Sequence, residues 1–309
     1  MPEIQVPPGV EGIVGITELP DPAWQDRWDR IVLDPKVKDR LLNFMLFSLG
    51  HRARLSAVGL PLHGLLVLAG PPGTGKTTLA GGLADQTARV LEGGPLLFVD
   101  VDPHAFPSQL LGESQRSTAR LFERTLPDLA RRGRPTVVLL DEVESLAVSR
   151  VGASLETNPV DVHRSTDAVL AGLDHVARAC PNVTFVATTN HRSGVDPAFL
   201  SRADLVEEIG YPGLEAVTAI LADTLRELVP NGTFGDGALR PVAASAVEAR
   251  LDARRVRKLV LRAVTSRRDL ALSPDRIAIE DLLGAVGDVS AETDGVGGGT
   301  VGAADRLRA

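Results

Sequence analysis

Short, continuous apolar runs set the frame of this chain. They lie at 64–69, 95–101, 136–140 and 182–190, with a weaker fifth at 205–209. Runs of this length without polar alternation read as strands buried on both faces, as in a parallel sheet. Between them the apolar residues recur at helical spacing over 36–55, 78–91, 117–132 and 161–179. In the first helix Val37, Leu41, Leu42, Phe44, Met45 and Leu49 are available for one face. In the last, Val162, Ala168, Val169, Leu173 and Val176 point inward by the same spacing. Strands alternating with helices at this pitch predict an α/β fold, a parallel five-stranded sheet covered by helices on both faces.

Near Tyr211-Pro212-Gly213 the pattern changes. Stretches 214–229, 242–250, 253–268 and 279–286 read as helices with no strong strand among them, which predicts a small all-helical second domain. Residues 1–22 carry Pro2, Pro7, Pro8, Pro20 and Pro22 and read as an extended arm. From 287 to 309 the chain is mostly Gly, Ala, Asp, Ser and Thr, the composition of a disordered tail. The expected organisation is an arm at 1–22, an α/β domain at 23–212, a helical lid at 213–286 and the tail.

The first apolar run ends in Gly70-Pro71-Pro72-Gly73-Thr74-Gly75-Lys76-Thr77, and the next helix starts with Thr78. Strand, glycine loop and helix turn G-x-x-x-x-G-K-[ST] into a phosphate cradle. The glycines let successive N–H groups face one anion, and the helix presents its positive end to the same oxygens. Lys76 is placed to reach the outer phosphates and the Thr77 hydroxyl to hold Mg²⁺. ATP with Mg²⁺ is the expected ligand.

The third apolar run ends in Asp141-Glu142, at the carboxyl end of a strand, where open α/β sheets bind ligands. Asp141 is expected to hold Mg²⁺ through water, and Glu142 to orient and deprotonate the attacking water. Asn190 ends the next strand and can touch that water or the γ-phosphate. Arg202 follows twelve residues on, in Ala198-Phe199-Leu200-Ser201-Arg202-Ala203-Asp204. An arginine lent by a neighbouring subunit neutralises charge in phosphoryl transfer; the structural alternative is an ion pair with Asp204. Arg250, Arg254, Lys258 and Arg262 share a helix face, which reads as solvated except for Arg254, a candidate nucleotide contact.

Composition narrows the classes. A net charge of −7 and a pI near 5.4 argue against a surface built for nucleic acid or anionic membrane. The single cysteine, Cys180, excludes an internal disulfide and any four-cysteine metal site. His63, His104, His163, His175 and His191 show no metal-ligand spacing, so no metal beyond nucleotide-bound Mg²⁺ is expected. No stretch approaches the roughly 18 apolar residues of a membrane span, and no secretory signal is visible, so the expected location is cytoplasmic.

Taken together, the phosphate loop, the Asp-Glu strand end, the strand-end Asn, the trailing Arg and the helical lid resemble an AAA+ ATPase. More narrowly, Asp141-Glu142-Val143-Glu144-Ser145-Leu146, the short Ser201-Arg202-Ala203-Asp204 segment and the run from Pro159 and Asp161 through Arg164 to Asp174 resemble the pachytene checkpoint family, in its short bacterial form. Ala253-Arg254 is similar to that family's lid sensor, with Ala where Gly is usual. The resemblance implies a homo-hexameric ring that threads part of a HORMA-domain protein through its pore. It maps the first pore loop to 108–113, with Leu110 where an aromatic is usual and Leu111 beside it. It also implies a role in anti-phage signalling operons, where remodelling switches a HORMA signal off. The competing readings are an AAA+ unfoldase with another protein client, a DNA-acting AAA+ motor, and a nucleotide-binding scaffold without turnover.

Overall fold

The computed structural model describes residues 12–57, 62–92, 94–101, 113–130, 133–147, 159–229 and 234–297. The chain divides into two compact units, Met1–Gly210 and Tyr211–Ala309.

The first unit holds a sheet of β1 (Ile13–Leu19), β2 (Leu65–Ala69), β3 (Leu96–Val101), β4 (Thr136–Leu140), β5 (Val183–Thr189) and β6 (Leu205–Glu208). Their order is β1-β3-β4-β5-β2-β6. All neighbours are parallel except β1, which runs antiparallel to β3. The expected five-stranded parallel sheet is therefore six-stranded and mixed. The expected arm at 1–22 is corrected as well, because 13–19 is the edge strand. Ile16 and Leu19 are fully buried at that edge while Val14 stays exposed. The strand's identity comes from pairing with β3 rather than from its own glycine-broken pattern.

Strand alternation splits the apolar residues between two cores. Leu65, Val67, Val138, Leu140, Phe185 and Ala187 face one; Leu66, Leu68, Val137, Leu139 and Val186 face the other. The helices of the unit are α1 (Pro22–Asp29), α2 (Pro35–Ala57), α3 (Lys76–Val90), α4 (Glu113–Arg120), α5 (Leu126–Ala130), α6 (Pro159–Ala179) and the short α7 (Pro197–Leu200). The expected helix at 117–132 is α4 and α5 joined by a π-helical turn, Leu121–Thr125. That turn buries Leu121 and Phe122 in the first core with Val169, Leu173 and Val176 of α6. The second core takes Leu41 and Met45 of α2 and Leu79, Ala80, Leu83 and Ala84 of α3.

α1 clasps α3 from outside. The Trp24 and Trp28 rings lie over Gly81 and Gly82, where an added Cβ would come within 2.3 and 3.1 Å of them. Asp85, fully buried on α3, accepts the Asp21 N–H at 2.7 Å and the Arg89 Nε–H at 2.7 Å.

α2 carries a buried polar stripe one turn apart. The Ser48 hydroxyl lies 2.9 Å from that of Thr184, and Arg52 is 1% exposed. Arg52 donates to the carbonyls of His63 at 2.8 Å and Cys180 at 2.9 Å, and to that of Val183. Burial pushes its guanidinium down to about 10, offset in part by Asp204 and Cys180. Gly64, at φ +69°, leaves the space the guanidinium fills, since a Cβ there would lie 1.3 Å from Nη1. Arg52 thus ties α2 to the starts of β2 and β5. Removing it takes this donor from the buried carbonyls of Cys180 and Val183 and from the half-buried carbonyl of His63. Arg52→Ala is expected to lower the unfolding free energy by about 3–5 kcal/mol. Urea unfolding that differs by under about 1 kcal/mol from the unaltered protein would contradict this account.

The second unit comprises α8 (Leu214–Leu228), α9 (Asp236–Glu248), α10 (Ala253–Thr265), α11 (Arg268–Leu272) and α12 (Ile279–Gly297). Their apolar faces share one core, to which α10 gives Val256, Leu259, Val260, Ala263 and Val264. α9 starts at Asp236 rather than 242 and contains Pro241. α12 continues past the expected end at 286, with Val289 buried in that core. The tail expected from 287 is thus helical as far as Gly297, and 298–309 lie outside the described residues.

Candidate active site

The phosphate loop joins β2 to α3. Gly70 adopts φ +150° and packs so closely on Ile209 that a Cβ would lie 2.0 Å from its carbonyl oxygen. Gly73 and Gly75 adopt φ values of 77° and 90°, which glycine takes without strain. Gly75 is the N-cap of α3 and has no side chain to cap the first turn. The N–H groups of that turn therefore face outward for an acceptor, as an anion site requires. Thr74 turns its hydroxyl back to donate to the Pro71 carbonyl at 3.0 Å.

Lys76 is 6% exposed. Its Nζ donates to Gly70 O at 2.9 Å, Pro71 O at 2.8 Å and Asn190 Oδ1 at 2.9 Å. Burial pulls its ammonium below the usual lysine range, and Glu144, Asp141 and Glu142 oppose the shift. Its basicity is the balance of a dry site and three carboxylates.

The Thr77 hydroxyl donates to the Asp141 carboxylate, 2.9 Å from Oδ1 and 3.1 Å from Oδ2. Thr188 donates to the same Oδ1 and accepts the Glu142 N–H at 3.0 Å. One hydroxyl on β5 thus fixes both acidic residues at the end of β4. Glu142 takes φ 51°, a left-handed conformation unusual outside glycine. Backbone strain of this kind collects at functional sites, at a cost of about 1–3 kcal/mol. It turns the Glu142 side chain to Asn190, whose Nδ2 donates to Oε1 at 3.1 Å. Asn190 therefore joins Lys76 to Glu142 through one amide. Its own N–H donates to Glu144 Oε1 at 3.0 Å, and the other oxygen of Glu144 is buried.

Five expected site residues, Lys76, Thr77, Asp141, Glu142 and Asn190, are thus in one hydrogen-bonded cluster. Thr77 and Asp141 offer hard oxygen donors side by side, the set that suits Mg²⁺. Thr188 and Glu144 were not singled out as site residues. A threonine closing an apolar strand beside the Asp-Glu pair was the available signal for Thr188. Leu110 and Leu111 lie outside the described residues. Arg254 is exposed in the first turn of α10, in the second unit.

Arg202 lies elsewhere. It donates through Nε and Nη2 to the two Asp174 oxygens, each at 2.8 Å, and through Nη1 to Ala198 O at 2.8 Å. The expected alternative, a pair with Asp204, is not what forms. Asp204 instead accepts the backbone N–H groups of His63, Gly64 and Leu65 at 3.3, 2.6 and 3.1 Å. The Arg202 hydrogen bonds hold the Asp174 carboxyl below the usual carboxylate range and raise the guanidinium in turn. His63 Nε2 is 3.3 Å from the same carboxylate. Arg202 thus sits by the start of β2, whereas the phosphate loop follows its end. Five strand residues separate them, about 17 Å at 3.3 Å per residue.

Residues 66–211 match the model of the ATPase family associated with various cellular activities, AAA. The chain is 43% identical over 280 residues to CD-NTase-associated protein 6 of Pseudomonas aeruginosa, covering 89% of this chain and 91% of that one. It is 33% identical over 219 residues to the pachytene checkpoint protein 2 homolog of Xenopus tropicalis, of which it spans 49%. It belongs to the pachytene checkpoint family of AAA+ ATPases. The fold agrees with two solved structures of similar proteins. The E. coli MS115-1 HORMA:CdnC:Trip13 complex superposes with a TM-score of 0.73 at 21% identity, over 92% of this chain and 97% of that one. C. elegans PCH-2 gives 0.71 at 22%, over 92% and 77%. Membership of this ATPase family accounts for a phosphate loop facing an Asp-Glu strand end. Among the described residues no helix is long and apolar enough to cross a membrane.

Proposed function

We propose that this protein hydrolyses ATP and applies the energy to remodel a HORMA-domain protein. The supporting observation is the connected cluster Lys76–Asn190–Glu142 beside Thr77–Asp141, in a chain that is 43% identical to CD-NTase-associated protein 6. In this reading Gly70, Pro71, Pro72, Gly73, Thr74, Gly75, Lys76, Thr77 and Thr78 hold the nucleotide phosphates. Thr77 and Asp141 hold Mg²⁺, which neutralises phosphate charge when bound. Glu142 takes a proton from the attacking water, and Asn190 fixes where that water and Glu142 meet. Arg254 is kept as the candidate nucleotide contact that the family resemblance implies.

The working form is a homo-hexamer in the cytoplasm, and the loop with Leu110 and Leu111 grips the threaded client. The client assignment follows the named composition of the E. coli complex, in which a HORMA protein accompanies Trip13. Its test is ATP turnover with and without a purified bacterial HORMA-domain protein. Stimulation by that protein is the expected result. Unchanged turnover with the HORMA protein, but a rise with duplex DNA that fades steeply with salt, would move the reading to a DNA motor. A sample that stays monomeric and leaves Mg·ATP intact would overturn it.

A further inference from the structure

Asp174 is the residue that turns Arg202 from a surface cation into an aimed one. Arg202 has five N–H donors, and three are engaged among the described residues: two by the Asp174 carboxylate and one by Ala198 O. A guanidinium gripped along one edge and at one corner cannot swing about its long side chain. Its remaining N–H groups are held in a fixed direction. The grip is built from separate elements. Asp174 comes from α6, Ala198 from α7, and His63, the second partner of Asp174, from the segment before β2. Arg202 and Asp174 are each about a quarter exposed, at 24% and 27%. That is deep enough to be ordered and open enough to meet another copy of the chain. A purely structural tie between α6 and the turn after α7 is the competing explanation, and it predicts an unchanged kcat in a folded variant. A two-point fork spends geometry on orientation.

We infer that Asp174 is a positioning residue for phosphoryl transfer in a neighbouring subunit, acting through Arg202. This rests on the proposed lending of Arg202 in trans. Distance forbids the alternative within one chain, because Arg202 lies about 17 Å along the sheet from the phosphate loop. The direct prediction is that Asp174→Asn lowers kcat by about 10–100-fold, the cost of letting a catalytic group drift by an ångström or so. KM for ATP should stay within about twofold, since an interaction made only in the transition state is lost. Asp174→Glu, which keeps the charge, should recover part of the rate.

The deciding measurement mixes two weakly active proteins. Glu142→Gln subunits cannot activate water but still lend an intact Arg202. Asp174→Asn subunits have an intact phosphate site but lend a loosened arginine. Mixed rings place good sites beside good arginines, so ATPase activity should rise well above the sum of the two separate samples. A strictly additive mixture would show that Asp174 serves its own subunit, and the inference would be wrong. Wild-type kcat in Asp174→Asn would also overturn it. Arg202→Ala separates the two layers of the argument. If Arg202→Ala is inactive and is rescued by mixing while Asp174→Asn is fully active, only the role of Asp174 fails. If Arg202→Ala itself retains full turnover, the underlying lending fails with it.

Discussion

Arg202→Ala is expected to lower ATP turnover by about 10³–10⁵-fold, the usual worth of an arginine lent to a phosphoryl transfer. Nucleotide binding to the altered subunit should be nearly unchanged. The two effects separate because the residue and its own phosphate loop sit at opposite ends of β2. Arg202 is tied down beside His63, and Lys76 stands beyond Ala69. No rotamer of an arginine closes a gap of about 17 Å. In the proposed mechanism its contribution to hydrolysis is made to another copy. Steady-state turnover and a titration with a fluorescent nucleotide, taken on the same sample, check both halves. A variant that loses nucleotide affinity in proportion to its rate would point to damage in its own fold.

Glu142→Gln is expected to cost about 10²–10⁴-fold in turnover, the range for removing a general base. Gln keeps the size of Glu and can still meet the Asn190 amide through its carbonyl oxygen. The N–H donated to Thr188 is untouched, because it belongs to the backbone. What disappears is the carboxylate that accepts a proton. ATP should bind as before and remain uncleaved. Turnover at the wild-type level would remove Glu142 from the mechanism and leave the left-handed backbone at φ 51° without a functional reason.

Much of the candidate site's layout is legible in the sequence because it rests on local rules. A continuous apolar run followed by Gly-Pro-Pro-Gly-Thr-Gly-Lys-Thr needs only short-range geometry to become strand, loop and helix. The same holds for a carboxylate pair placed where a buried strand meets solvent. The residues that escaped depend on long-range neighbours. β1 is a strand because β3 offers it a free edge, and nothing in its glycines announces that. Arg52 lies on a helix whose apolar spacing predicted a plain buried face, yet three carbonyls from distant segments accept from it. Arg202 and Asp174 stand 28 residues apart in sequence, and the nearer carboxylate, Asp204, was the natural guess. Asp204 is unavailable because three backbone N–H groups at the head of β2 already claim it.

The chain has two tryptophans, and both rest against the helix that begins at the phosphate loop. Indole emission is therefore a built-in reporter, free of added dye, for that helix's surroundings. A change in its colour or quenching on adding nucleotide would report rearrangement around α1 and α3, where Trp24 also meets Phe98 and Trp28 meets Lys38. The same fluorescence could follow loading and release during a single cycle, without altering a residue.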